Sequence, residues 1–210
     1  MKIGVIGAGN VGGALGRILA GKGHEIVFGV RDPQSSKVQS LIDSTGGKAK
    51  AGSVQEAAAH GEVVILATPW QATQEAIEQA GDLSGKILID CTNPLGAAPN
   101  ELVIGLTTSA AEEIAKWAAG ARVVKAFNNI GASCFENLTF GSQQANTFIC
   151  GEDAEAKKVV MSLAQEIGFE PVDTGDLSKA RLAEPLAALW IHLAYFQGMG
   201  PDFAVNLVKR

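Results

Sequence analysis

Three glycines, Gly7, Gly9 and Gly12, stand in the spacing G-x-G-x-x-G directly behind an apolar run at residues 3–6. The segment reads Gly7-Ala8-Gly9-Asn10-Val11-Gly12, and an apolar face made by Ala14, Leu15, Ile18 and Leu19 follows it. A strand that turns into a helix through such a segment can do one kind of chemistry well. The first glycine permits a tight turn, the second lets a pyrophosphate approach the backbone, and the third lets helix pack closely on strand. The N–H groups of the first helical turn then bind the anion. The competing reading is a glycine-rich turn with no ligand, which does not require this spacing. Gly7, Ala8, Gly9, Asn10, Val11 and Gly12 are therefore expected to form a dinucleotide site.

The end of the second strand chooses between dinucleotides. A carboxylate there bonds the ribose hydroxyls of NAD and repels a 2′-phosphate. Here the position falls at Gly29-Val30, followed by Arg31, whose guanidinium can pair with a phosphate and stack on adenine. NADP is expected, held by Val30 and Arg31, with the Ser35 hydroxyl adding to the phosphate site. Asp32 reads as a helix cap, because Pro33 suits a first helical turn.

Ligands of open parallel sheets lie beyond the carboxyl ends of the strands. The residues there are Thr68-Pro69-Trp70, Thr92-Asn93-Pro94 and Asn128-Asn129-Ile130-Gly131-Ala132. Of these, Thr68, Pro69, Trp70, Asn93, Asn128 and Ala132 are expected to surround the ribose and nicotinamide, although Thr-Pro and Asn-Pro also end strands unaided. Acid–base candidates are sparse. His24 falls at the wrong end of the sheet, His60 precedes a helix-ending Gly61, and His192 sits on an apolar helix. No Ser-His-Asp set, metal-ligand cluster or tyrosine–lysine dyad is apparent, so no catalytic residue can be named. Hydride transfer between two cofactor rings needs none, since it depends on holding the rings face to face.

The elements that must position these residues follow from period. Apolar runs at 3–6, 26–30, 48–51, 63–67, 87–90 and 123–126 alternate with helix-like segments at 11–22, 36–45, 54–60, 71–80 and 109–119. Near-continuous β-branched runs suit strands buried on both faces, and right-handed crossovers then give an α/β, doubly wound, Rossmann-type parallel sheet. Beyond residue 126 the texture changes. Residues 128–144 lack a clear period, after which come a strand at 147–150, a helix at 154–167, a strand at 170–173 and an apolar helix at 178–197. This predicts an NADP-binding domain over 1–130 and a small C-terminal α/β appendage over 131–210, serving as lid and dimerisation region. The last helix is apolar on nearly every face, more than one packing surface needs, so a homodimer is expected.

Composition narrows the partners. The 210 residues carry 17 Lys and Arg against 22 Asp and Glu, a net charge of −5, which offers no general attraction to nucleic acid or anionic membrane. The longest apolar stretch is too short to span a bilayer. Three cysteines without a C-x-x-C point to a reduced, cytoplasmic setting and to no metal site.

Taken together, the residues Gly9-Asn10-Val11-Gly12, Gly23 to Arg31, Thr68-Pro69-Trp70, and the tail Arg181-Leu182-Ala183-Glu184 to Gln197-Gly198-Met199-Gly200 resemble the NADP oxidoreductases that act on the deazaflavin coenzyme F420. The resemblance covers essentially the whole chain. It implies that Gly9 to Val11, Val30, Arg31, Ser35, Trp70 and Ala132 touch NADP, that the C-terminal part closes over the nicotinamide, and that a deazaflavin or flavin stacks there as second substrate. The stretch Lys125 to Ala132 departs from the archaeal members and is similar to bacterial relatives and to the cytosolic NADPH-binding domain of membrane metalloreductases. Two alternatives stand beside this reading: an NADPH-dependent reductase of a small carbonyl or imine, and a non-catalytic NADP sensor.

Overall fold

The computed structural model describes residues 1–98, 101–208 and 210. The strands are β1 (Lys2–Ile6), β2 (Glu25–Gly29), β3 (Ala49–Gly52), β4 (Val63–Leu66), β5 (Ile87–Asp90) and β6 (Arg122–Lys125), followed by β7 (Thr139–Phe140), β8 (Gln143–Gln144), β9 (Asn146–Gly151) and β10 (Glu170–Gly175). The helices are α1 (Asn10–Gly21), α2 (Ser36–Asp43), α3 (Val54–His60), α4 (Thr73–Ala80), α5 (Ala110–Trp117), α6 (Ala154–Ile167) and α7 (Ala180–Ile191). Eight strands form one sheet in the order β10-β9-β6-β5-β4-β1-β2-β3. Every neighbouring pair is parallel except β6 with β9.

Alternation along the strands explains why both faces are covered. Ile3 and Val5 project into one buried cluster with Leu15, Phe28, Ile65 and Ile89, whereas Ile6, Val64, Leu66 and Leu88 belong to the other. The chain reverses its direction of winding between β1 and β4, and a crevice opens there at the carboxyl ends of the strands. Residues after 130 do not leave this body: β9 and β10 lengthen the same sheet, and Val160, Leu163 and Trp190 share the first cluster.

The structure departs from the sequence expectation in three places. The helix foreseen at 178–197 divides into a 3₁₀ turn (Leu177–Lys179), α7 and a π-helical turn (His192–Phe196). The aperiodic stretch before β9 holds a 3₁₀ turn (Ala132–Cys134) and the small β7–β8 hairpin. Asp32 does not cap α2, which starts at Ser36 after Ser35. Its carboxylate accepts from the Gln34 N–H at 3.0 Å, an Asx turn that uses the side chain before the helix begins.

Candidate active site

The glycine turn is built as its spacing requires. Gly7 has φ +97°, a conformation that an L side chain strains to adopt, and its N–H donates to the Gly29 carbonyl at 3.0 Å. A Cβ on Gly12 would collide with the Gly7 carbonyl oxygen, so this glycine sets the approach of α1 to the turn. Gly9 differs. Its φ of −76° is open to any residue, and no atom lies within 4 Å of the place a Cβ would take. The space over Gly9 faces the crevice.

Two clefts meet at this turn and share Ala8, Gly9 and Lys37. The smaller, about 330 Å³, runs from Gly7 past Val30, Arg31 and Ser35 to Thr68 and Pro69. The larger, about 670 Å³, runs from Asn10 and Val11 past Asn93 and Asn128 to Ala132, and Trp190, Ile191 and Tyr195 wall it. The expected site residues thus line one or other cleft, with two exceptions. Gly12 is buried beneath the turn. Trp70 lies outside both clefts and stacks on Trp117 of α5, with centroids 5.3 Å apart and planes at 28°.

The floor of the larger cleft is a pair of asparagines. Asn93 Nδ2 donates to the Asn128 carbonyl at 3.1 Å, and Asn128 Nδ2 donates to Asn93 Oδ1 at 2.9 Å and to the Ala183 carbonyl of α7 at 3.2 Å. Asn128 is 6% exposed, and its Oδ1 is buried with no donor. A buried acceptor without a donor is costly. Just before it, Phe127 has φ +61°, a left-handed conformation rare for a bulky side chain and the kind of strain that persists where surrounding contacts fix it.

The walls are fixed as well. Trp190 donates Nε1–H to the Phe203 carbonyl at 2.9 Å and stacks on the Phe203 ring with centroids 5.2 Å apart. Its indole packs so closely on Gly131 that a Cβ there would collide with it. Tyr195, 63% exposed, meets Trp190 with the ring planes nearly perpendicular, at 81°. At the mouth, Arg17 of α1 pairs with Glu136 at 2.6 Å.

A model of the family described as NADP oxidoreductase, coenzyme F420-dependent, matches residues 2–94. The F420-dependent NADP reductase of Methanocaldococcus jannaschii is 33% identical over 207 residues, covering 92% of each chain. This chain belongs to that oxidoreductase family. A solved structure from Arthrobacter sp. FB24, described as a candidate F420-dependent NADP reductase, is 32% identical, with TM-score 0.88 over 99% of this chain and 100% of the other. The rat metalloreductase STEAP3 is 33% identical over 187 residues, and the alignment spans 88% of this chain but 36% of that longer protein.

Three features of this family member escaped the sequence reading. Lys37 lines both clefts and adds a second cation beside Arg31. Arg17 and Glu136 meet only through the tertiary fold. The third is a buried charge cluster. Lys125 lies 2.9 Å from Asp90 Oδ2 and 2.9 Å from Glu184 Oε1, and all three side chains are at most 1% exposed. Burial alone would lower the Lys125 pKa, but the pull of Asp90 and Glu184 outweighs it and raises the pKa, so the lysine is charged. A signal was present: Asp90 and Lys125 are the charged residues of two otherwise apolar runs, 87–90 and 123–126, and are register partners on β5 and β6. Among the described residues no group of three or more His, Cys, Asp or Glu side chains is placed to hold a metal ion, and His24 is engaged by Glu166 at 2.8 Å.

Proposed function

We propose that this oxidoreductase transfers a hydride between NADPH and coenzyme F420, with NADPH laid across both clefts and the deazaflavin stacked on its nicotinamide in the larger one. The single observation that carries the reading is the pairing of the clefts at Gly9: one ends in Arg31, Ser35 and Lys37, and the other in the Asn93–Asn128 floor under an aromatic wall. Gly7 to Gly12 hold the pyrophosphate through backbone N–H groups. Val30, Arg31, Ser35 and Lys37 hold the adenosine 2′-phosphate, with Thr68 and Pro69 bordering the ribose. Asn93, Asn128 and Ala132 border the nicotinamide.

NADPH supplies the hydride and the deazaflavin accepts it, or the reverse. The chain contributes position: a hydrogen-bonded floor and a wall fixed by Trp190 and Phe203. The hydride passes directly between the rings, and the one proton that the deazaflavin gains on reduction, or releases in the reverse direction, is exchanged with solvent. The test is optical. Purified protein mixed with NADPH and F420 should remove the acceptor's visible absorbance. A flavin bleached in its place, or a ketone or imine consumed in its place, would reassign the acceptor, and NADPH binding without turnover would leave a sensor.

In this reading residues 1–130 bind NADP and residues 131–210 serve as lid and dimer contact. Leu182 and Leu189, seven positions apart on α7, are 71% and 51% exposed, and Phe196 and Met199 continue the apolar surface. A second copy of the chain is the occupant that a homodimer would supply. No described helix is long and apolar enough to cross a membrane, and the free, buried cysteines suit the reducing cytoplasm to which we assign the protein.

A further inference from the structure

The buried cluster of Lys125, Asp90 and Glu184 sums to one cation and two anions in a region without solvent. The excess negative charge has a partner. The Glu184 carboxylate accepts from the Ala110 N–H at 2.9 Å and the Ala111 N–H at 3.2 Å, the first N–H groups of α5, whose dipole favours an anion at that end. On the other side Asp90 Oδ1 accepts from the Thr92 N–H at 2.8 Å, and Lys125 Nζ donates to the Thr92 carbonyl at 2.5 Å. The cluster therefore joins the ends of β5 and β6, Thr92 behind them, the start of α5, and α7.

These segments are the cleft. Asn93 follows Thr92, and Asn128 lies three residues beyond Lys125, past the strained Phe127. The two asparagines are the floor, and Asn128 reaches the Ala183 carbonyl on α7, next to Glu184. Six residues beyond Glu184, Trp190 forms the wall. Floor and wall are thus tied at consecutive residues of α7, one tie through an amide and one through the buried charges. A buried ionic cluster is a poor source of net stability compared with apolar packing of the same volume, and its attested uses are in fixing register. Here the register is that of α7 against the strand ends.

We propose that Lys125 and Glu184 are positioning residues: the buried cluster sets the spacing between the Asn93–Asn128 floor and the Trp190 wall, and so the spacing of the two reacting rings. This rests on the cleft assignment above. Glu184→Gln keeps the side-chain shape, removes one charge, and points an amide at either the α5 N–H groups or Lys125. It should leave the NADPH dissociation constant within about threefold, because the phosphate contacts are remote from the cluster. The rate of hydride transfer should fall about tenfold or more, and the isotope effect with NADPH deuterated at the transferred position should rise as that step becomes limiting. A readout without substrates separates this proposal from the choice of acceptor. In a Trp70→Phe, Trp117→Phe background, acrylamide quenching of Trp190 should increase when Glu184→Gln is added. If Glu184→Gln does not fold, Glu184→Asp, which keeps the charge and withdraws it by one methylene, is read in the same way. A folded variant with Trp190 still protected and hydride transfer within twofold of the parent overturns the proposal. Altered quenching in a protein that reduces another acceptor overturns only the acceptor assignment.

Discussion

Arg181 grips Glu112 with two parallel hydrogen bonds, Nε to Oε2 at 2.8 Å and Nη2 to Oε1 at 2.6 Å, and so ties the first turn of α7 to the first turn of α5. The forked geometry is the strong form of an ion pair. The Arg181 hydrogen bond is the main reason the Glu112 carboxyl is held below its ordinary value of 4.5. A carboxyl with a depressed folded-state pKa contributes stability that is present above the unfolded value and is lost as pH falls through the folded one. Thermal midpoints measured from pH 6 down to 3 should therefore decline less steeply in Arg181→Gln than in the parent. Parallel curves would show that the pair adds nothing.

Replacing Arg31 by Ser should weaken NADPH binding by about 10- to 150-fold, the range of about 1.5–3 kcal/mol for a charge-assisted contact, and leave NADH binding nearly unchanged. Fluorescence titration with both nucleotides checks it. Equal losses for the two would remove Arg31 from the 2′-phosphate site.

A valine at Gly9 should abolish binding of both nucleotides without harming the fold. The backbone there has ordinary dihedrals and open space over the missing Cβ, so the isopropyl group fills only the volume assigned to the pyrophosphate. The thermal midpoint of the ligand-free protein should stay within about 2 °C of the parent. Retained binding would mean that the phosphates lie elsewhere.

In the proposed homodimer, a charge at Leu182 together with one at Leu189 should give a monomer, because both side chains are exposed and neither supports the core. Mass measurement in solution decides it. Truncation of the whole tail is the wrong test, since Ala183, Trp190 and Ala194 are buried.

Thiol reagents at pH 8 should leave Cys91 and Cys150 unmodified until the protein is unfolded. Burial, the largest cause, raises the pKa of both thiols, and that of Cys150 is pushed up to about 12. Rapid labelling of either in the native protein would contradict the packing of the strand ends.

The six parallel strands and the glycine turn were legible because each is written locally: a β-branched run, a glycine spacing, an arginine after the second strand. What was not legible depends on distance. Trp70 follows its strand in the position of a ligand contact, yet Trp117, far along the chain, draws it into a stack outside the cleft. Glu184 reads as one acid on an apolar helix, and only the fold brings it to Lys125 and the α5 N–H groups. The π-helical turn at His192–Phe196 leaves no trace in the sequence, because the segment is apolar on nearly every face and a shift of face cannot be read from it.

The antiparallel pairing of β6 with β9 has a consequence during synthesis. When the ribosome has released β6, its inner edge can dock on β5, but its outer edge waits for β9, which arrives only after the Asn128 stretch and the β7–β8 hairpin. A nascent chain stalled in that interval leaves the β9-facing edge at Val124 and Lys125 with open hydrogen-bonding groups. An open strand edge of this kind is a template for wrong pairing, and β9 closes it.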